Sequence, residues 1–381
     1  MHICYLTNEY PRPDFPHGGI GSFIKTMATE LVKHGFRVSV VGMNYVPQQE
    51  AYTEEGVHVY RLIRYHTKGL SWWNNFREIN RKIREIHAEH PIDVVESAEL
   101  GLAFLQKLKG IRYVIRLHGG HHFFAEGENR GINWWKGFQE KRSFARADAF
   151  VAVSDYVKSH THKYLSYHGN EVPLISNPIN TDLFQPLNIP VVPGRIVFAG
   201  TVCEKKGIRQ LIQAFPIVKR ACPSATLEIY GRDWQFPDGS SYIEMLHKKE
   251  FPQLGDAGES IHFHGSIAHV DIPKKYAEAE VCVFPSHMET QGLVAPEAMV
   301  MQKTVVFTKL GPGPETIEDG KTGLLCDPYQ PQDIADKIIW ALQHPAEVKQ
   351  IQQNGAAFAR NKYALEPIVQ KNIAFYQTLR K

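Results

Sequence analysis

The chain has little cysteine and places it without pattern. Its five cysteines, Cys4, Cys203, Cys222, Cys282 and Cys326, are odd in number, scattered and free of any C-x-x-C pair. That excludes a disulfide framework and a zinc knuckle, and sets the expectation of a reduced, cytoplasmic protein with no structural metal. No run approaches ~18 consecutive apolar residues, so nothing reads as spanning a bilayer. The opening MHICYLTNEYPRP has neither a basic n-region nor a long apolar core, so no secretory signal is expected. Charge of one sign is also lacking: 43 Lys+Arg stand against 40 Asp+Glu, a formal +3. Bulk electrostatics therefore gives no sign of a nucleic-acid partner. There is no H-E-x-x-H, no low-complexity tract and no tandem repeat.

What remains is an ordinary globular composition, 43% hydrophobic and 22% charged over 381 residues. Single cores stop growing near roughly 250–300 residues, so two domains are expected. The order of elements agrees. HICYLT is an apolar strand, the stretch NEYPRPDFPHGGIG a Pro/Gly-rich loop, SFIKTMATELVKHG a helix apolar at Phe23, Ile24, Met27 and Leu31, and FRVSVVGM a β-branched strand. Strand, glycine loop, helix, strand is a βαβ unit opening a parallel sheet. Further strands are expected at VHVYRLI, DVVESA, YVIRLHG, AFVAVSD and VPLISN, with helices near 73–90, 99–109 and 134–147. A Pro-, Asn- and Gly-rich stretch at 177–194 reads as a linker. Alternation restarts beyond it with RIVFAG and runs to the helix DIADKIIWALQ. The expected fold class is α/β, two Rossmann-like parallel-sheet domains facing a central cleft, with strand C-termini turned toward a ligand. The domains are placed at 1–182 and 195–360, and the last helix, 361–381, is free to return to the N-terminal one.

The chemistry concentrates in PSHMETQGLVAPEAM, residues 285–299. Two carboxylates, Glu289 and Glu297, stand eight residues apart. Gly292 permits close backbone approach. Pro296 suits a first helical turn, which places Glu297 at a helix N-terminus, where amides and dipole attract an anion. Taken alone, the spacing also fits a capping glutamate on an ordinary helix.

The wider pattern decides between these. The block resembles the E-x7-E motif of retaining GT-B glycosyltransferases, the group 1 set known as glycosyltransferase family 4. The resemblance runs through GGIGSFIKTMATELVKHGFRVSVV, LHGG, VAVSDYV, SNPINTDLFQP, VFAGTVCEKKGIRQLIQAF, LEIYGRD, IHFHGSI, the E-x7-E block and GPGPETIEDGKTGLLCDP, in that order.

The resemblance implies roles position by position. Glu289 contacts donor-sugar hydroxyls near the reacting centre, and Glu297 holds the ribose. Gln291, Gly292 and Leu293 offer backbone amides to sugar and diphosphate. Lys206 is the lysine of the diphosphate, a compact cation suited to a leaving phosphate. Backbone near Ile267 meets the base. Gly19 supplies a close amide in the N-terminal half, and His118, ending YVIRLHG, lies near the donor sugar; His121 and His122 read as loop residues. One position departs: Thr201 stands where many members carry an arginine, so one cation of the clamp is missing, and Arg195, Lys205, Arg209 and Arg232 are the candidates to replace it.

The implied activity is transfer of a sugar, with retention, from a nucleoside diphosphate sugar to a glycan or lipid-linked acceptor hydroxyl in surface polysaccharide assembly. UDP-sugars are favoured. No cofactor or metal is implied, and Asp-x-Asp, the metal carrier of the other glycosyltransferase fold, is absent. Residues 64–87 mix Trp72, Trp73 and Phe76 with Arg77, Arg81, Lys82 and Arg84. They read as a surface helix burying Phe76, Ile79, Ile83 and Ile86 or as an interfacial helix on anionic lipid at the inner membrane face. NWWKGFQEKRSF, 133–144, is open between lining an acceptor site and capping its domain. Competing classes are a nucleotide-sugar epimerase of the same architecture, a dinucleotide oxidoreductase, for which HGGIGSFIK holds only part of G-x-G-x-x-G, and a non-catalytic two-domain sugar-binding protein.

Overall fold

The computed structural model describes residues 1–12, 18–66, 70–127 and 131–380. Residues 13–17 of the expected first loop, 67–69 of the aromatic-basic segment, 128–130, and 381 of the expected 361–381 helix lie outside the described residues. The chain divides into two units, Met1–Asn177 with the chain from Glu366 onward, and Pro178–Leu365.

The first unit holds a seven-stranded sheet. Its strands are β1 (His2–Leu6), β2 (Arg37–Met43), β3 (Glu50–Glu54), β4 (Val57–Leu62), β5 (Val94–Ser97), β6 (Arg112–Leu117) and β7 (Ala149–Ala152), in the order β3-β4-β2-β1-β5-β6-β7. All pairings are parallel except β3 with β4. Helices are α1 (Gly19–Lys33), α2 (Ser71–Glu89), α3 (His121–Gly127), α4 (Trp134–Phe144) and α5 (Asp155–His162). Strands β1, β5 and β7 are buried along their whole length, as expected of a largely parallel sheet covered on both faces.

The second unit carries β8 (Arg195–Ala199), β9 (Thr226–Tyr230), β10 (Ile261–Gly265), β11 (Val281–Phe284), β12 (Thr304–Thr308) and β13 (Leu324–Cys326), ordered β10-β9-β8-β11-β12-β13 and parallel throughout. This is the strand order 3-2-1-4-5-6 of a doubly wound sheet, whose order reverses between β8 and β11. Its helices are α6 (Ile208–Ala221), α7 (Tyr242–Lys249), α8 (Ile272–Glu278), α9 (Val294–Val300), α10 (Gly313–Thr316), α11 (Pro331–Gln343) and α12 (Pro345–Tyr363). The last helix, α13 (Leu365–Thr378), packs on the first unit. There Tyr376 hydrogen-bonds Tyr5 and Glu96, and Asn372 accepts from Arg116 at 2.6 Å.

Several expected elements differ. Residues 99–109 form turns rather than a helix, because side chains take their backbone groups: Arg142 donates to the Ala103 carbonyl at 2.7 Å, Asn80 to that of Phe104 at 3.1 Å, and Ser143 accepts from the Leu102 amide at 3.1 Å. VPLISN makes a single parallel bridge, Leu174 to Ala152, since Pro173 has no N–H for a ladder. Of the 177–194 stretch, all but Asn177 belongs with the second unit: Phe184 is fully buried in its core, and the Ile179 amide donates to the Tyr363 carbonyl at 2.9 Å. No helix among the described residues is long and apolar enough to cross a membrane.

Candidate functional site

Ligands of doubly wound sheets gather beyond the strand C-termini where the order reverses. In the second unit that point lies between the loops leaving β8 and β11, and most of the expected residues sit on those two loops. The β8 loop tightens into a single 3₁₀ turn, Glu204–Lys206, and closes on Gly207 at φ +68°. A Cβ at Gly207 would fall 1.8 Å from the Pro285 carbonyl oxygen, so only glycine lets the two loops touch. The contact brings the Lys206 ammonium to 2.5 Å from Oε1 of Glu289. Ser286, three residues before Glu289, donates its hydroxyl to the same oxygen at 2.8 Å. Oε1 is thus held twice, and Oε2 accepts no hydrogen bond among the described residues. Glu289 is buried. Of the two adjacent lysines it is Lys206 that meets the carboxylate.

The residues after Glu289 hold the loop's shape. Gly292 has φ +74°, and a Cβ there would meet the Phe307 ring at 2.5 Å, so backbone conformation and packing both require glycine. Gln291 is buried, and Leu293 caps α9 while packing on the core. Glu297 lies in the first turn of that helix. Its carboxylate stands 3.4 Å from Nε2 of His269, whose imidazole is held above its ordinary pKa by that hydrogen bond. His269 was not anticipated; its signal is its place two residues after Ile267, in the largely exposed segment leaving β10.

Thr201 and Arg232 leave the neighbouring strands β8 and β9. Gly200 and Gly231 let these loops cross, since a Cβ at Gly231 would lie 1.7 Å from the Gly200 carbonyl oxygen. The Val202 amide then donates to the Arg232 carbonyl at 2.9 Å, and the Arg232 guanidinium reaches the Thr201 hydroxyl at 3.4 Å. The other arginine candidates are committed elsewhere: Arg195 starts β8 at its far end and pairs with Glu278 at 2.8 Å, and Arg209 pairs with Glu204 at 2.6 Å. The cation next to Thr201 is Arg232.

In the first unit His118 follows β6 and is buried, its ring 5.4 Å from that of Phe23. Burial, reinforced by the Arg116 guanidinium, pushes its pKa down to about 3, so the imidazole is neutral. Gly19 is the first residue of α1, not part of a preceding loop, and open space surrounds the position its Cβ would take. His121 and His122 are not loop residues either. They open α3, where the buried Glu140 accepts both backbone amides, at 2.8 and 2.9 Å, and the His122 ring nitrogen. Glu140, a lone acid within an aromatic-basic helix, gave no sequence signal.

Two family models match this arrangement: glycosyl transferases group 1, over residues 180–358, and glycosyltransferase family 4, over residues 17–183. The chain belongs to the group 1, family 4 glycosyltransferases. The glycosyltransferase is 27% identical over 356 residues to the GDP-mannose-dependent alpha-(1-6)-phosphatidylinositol monomannoside mannosyltransferase of Mycolicibacterium smegmatis, covering 85% of each chain. It is similar in structure to the sucrose-phosphate synthase of Thermosynechococcus elongatus, with TM-score 0.85 and 20% identity over 99% of this chain and 98% of that one. It also resembles Anabaena HepE solved with UDP-glucose, with TM-score 0.78 and 18% identity over 99% and 100% of the two chains. The fold of this glycosyltransferase is GT-B.

Proposed function

We propose that the chain is a retaining, metal-independent transferase that moves a hexose from a nucleoside diphosphate sugar to an acceptor hydroxyl in surface polysaccharide assembly. The observation that carries this reading is the Lys206–Glu289 pair at the reversal point of the second sheet. Lys206 and Arg232 neutralise the charge that grows on the diphosphate as its bond to the anomeric carbon breaks, and preorganised cations are most effective where charge develops. The acceptor oxygen bonds to the same face of that carbon, and its proton passes to the departing phosphate. Glu289 positions the sugar: its Oε1 is fixed by Ser286 and Lys206, and Oε2 accepts a sugar hydroxyl. It acts without a stable glycosyl-enzyme, in contrast to the carboxylate pair of a glycosidase. Glu297 accepts the ribose hydroxyls, and amides of Gln291, Gly292 and Leu293 meet the sugar and diphosphate.

A UDP-sugar is the family expectation for the donor. The mannosyltransferase relative, named for GDP-mannose, favours a GDP-sugar as the second reading. Peripheral contact with anionic lipid belongs to the same proposal. Trp72 is packed against Phe104 and Trp135 and is not available to a membrane, but Trp73 at 56% and Trp134 at 76% exposure stand outward, with Arg77 exposed on the same helix as Trp73. Flotation with anionic liposomes tests that part. The activity is tested by release of nucleoside diphosphate from a panel of sugar nucleotides with glycan acceptors, comparing wild type with Glu289→Gln. Turnover should fall about 100-fold or more with the fold intact; wild-type turnover in the variant sinks the assignment.

A further inference from the structure

The first sheet reverses its order as well, between β1 and β5. A cavity of about 420 Å³ opens there, lined by the residues after β1, the end of β2 and the turn after β5. Its volume falls in the ordinary range for small-molecule sites, roughly 300–1,000 Å³. The wall is largely apolar and aromatic, with Ile20, Trp72, Phe76 and Ile79, and two charged side chains interrupt it, Glu9 and Arg64.

These charges do not neutralise each other, since no ion pair joins them. Glu9 accepts the Gly18 amide at 3.2 Å. Arg64 makes no hydrogen bond or ion pair among the described residues; its Nε is buried without a partner, and its guanidinium lies 5.8 Å from the Tyr45 ring centroid. The contrast with its neighbours is sharp. Arg12 and Arg61 both pair with Glu50, and Arg61 also donates to the Tyr10 and Pro11 carbonyls at 2.9 Å. A half-buried guanidinium with no partner, lining a cavity, carries a desolvation cost that a bound oxyanion relieves, and its planar fork fits carboxylate or phosphate in two parallel hydrogen bonds.

We propose that this cavity is the acceptor site and that the acceptor is an anionic glycoside, a sugar bearing a carboxylate or phosphate that Arg64 binds. Trp72 and Phe76 form the apolar wall against the ring, and Glu9 accepts a hydrogen bond from an acceptor hydroxyl. This rests on the transferase reading, which supplies the need for a second ligand in the first unit.

The test is calorimetric titration of the full chain with matched pairs, phenyl glucoside against phenyl glucuronide and free hexose against hexose phosphate. Wild type should bind each anionic member about tenfold more tightly than its neutral partner, as expected of charge-assisted hydrogen bonds. Preference for the glucuronide alone or the phosphate alone identifies which oxyanion is native. Arg64→Gln should bring the members of each pair to equal affinity, and Arg64→Lys should keep part of the preference. A panel in which no anionic member is bound more tightly than its partner, whether all bind or none does, overturns the proposal; so does an unchanged preference in Arg64→Gln. Donor consumption by wild type, measured separately, distinguishes this outcome from failure of the transferase reading.

Discussion

The Lys206 ammonium donates to Oε1 of Glu289 at 2.5 Å across 83 residues of sequence, through loops that meet where Gly207 lies against Pro285. Under the proposed function, the pair puts the cation for a leaving diphosphate and the carboxylate for the transferred sugar at one point. It also keeps the carboxylate oriented before any ligand arrives, since Ser286 holds the same oxygen.

Removing the cation should therefore do two things. Lys206→Met deletes a charge from the diphosphate site and releases Glu289 to move. Both the affinity for nucleoside diphosphate and the turnover number should fall, turnover by about 100-fold. Steady-state kinetics with a saturating acceptor measures the split, and a change confined to KM would argue that Lys206 binds without stabilising the transition state.

Under the proposed function Arg232, whose guanidinium lies 3.4 Å from the Thr201 hydroxyl, supplies the cation that Thr201 lacks. Arg232→Met should weaken nucleoside diphosphate binding by about tenfold, and adding Thr201→Arg to that variant should restore most of it, because the two side chains share one place. Titration of the single and double variants with the nucleotide gives the answer; failure of the second substitution to rescue places Arg232 outside the clamp.

The C-terminal helix is tied to the first unit by a buried ion pair. Arg116 donates to Glu96 at 2.7 Å and to Asn372 at 2.6 Å, and Tyr376 donates to the second Glu96 oxygen at 2.8 Å. Arg116→Met leaves the Glu96 carboxylate buried without its cation, which should cost about 3–5 kcal/mol. Adding Glu96→Gln should recover a large part of the loss. Urea unfolding of the three variants, followed by hydrogen exchange in α13 as well as by circular dichroism, checks both expectations.

Glu99 gives a pH signature. Burial, with the Glu140 carboxylate nearby, raises its pKa from 4.5 to about 8. Between those values the folded chain binds more protons than the unfolded one, so this group lowers stability as pH rises from 4.5 to 8, and its penalty is complete above that window. Glu99→Gln removes the group. The variant should match wild type near pH 4.5 and exceed it at pH 8, by about 1–3 kcal/mol. Thermal unfolding of both chains across the range measures the difference, and parallel curves would contradict it.

The sequence made legible whatever is written in large apolar residues or fixed loop motifs. Central strands such as β1, β5 and β11 were plain because both faces are buried, and Glu289, Lys206 and Gly292 were plain because their loops keep a recognisable order. Elements held by other means were hidden. The 19-residue α12 buries the small residues Gly355, Ala356 and Ala359 beside Val348, Ile351 and Tyr363, with Gly355 close against the Thr322 carbonyl, so its buried stripe is only weakly hydrophobic on paper. Edge strand β3 buries none of its side chains and shows no alternation. His269 and Glu140 make contacts 28, and 18 or 19, residues away, which no local spacing reveals.

The central claim is that a nucleoside diphosphate sits on Lys206 beside Glu289. Thermal unfolding of wild type and Lys206→Met against UDP, GDP and ADP tests it most directly, because a ligand bound by the native state raises its stability by mass action. One nucleotide should raise the wild-type midpoint in a concentration-dependent way and leave that of Lys206→Met nearly unmoved. No shift with any nucleotide, or an equal shift in both chains, would contradict the account.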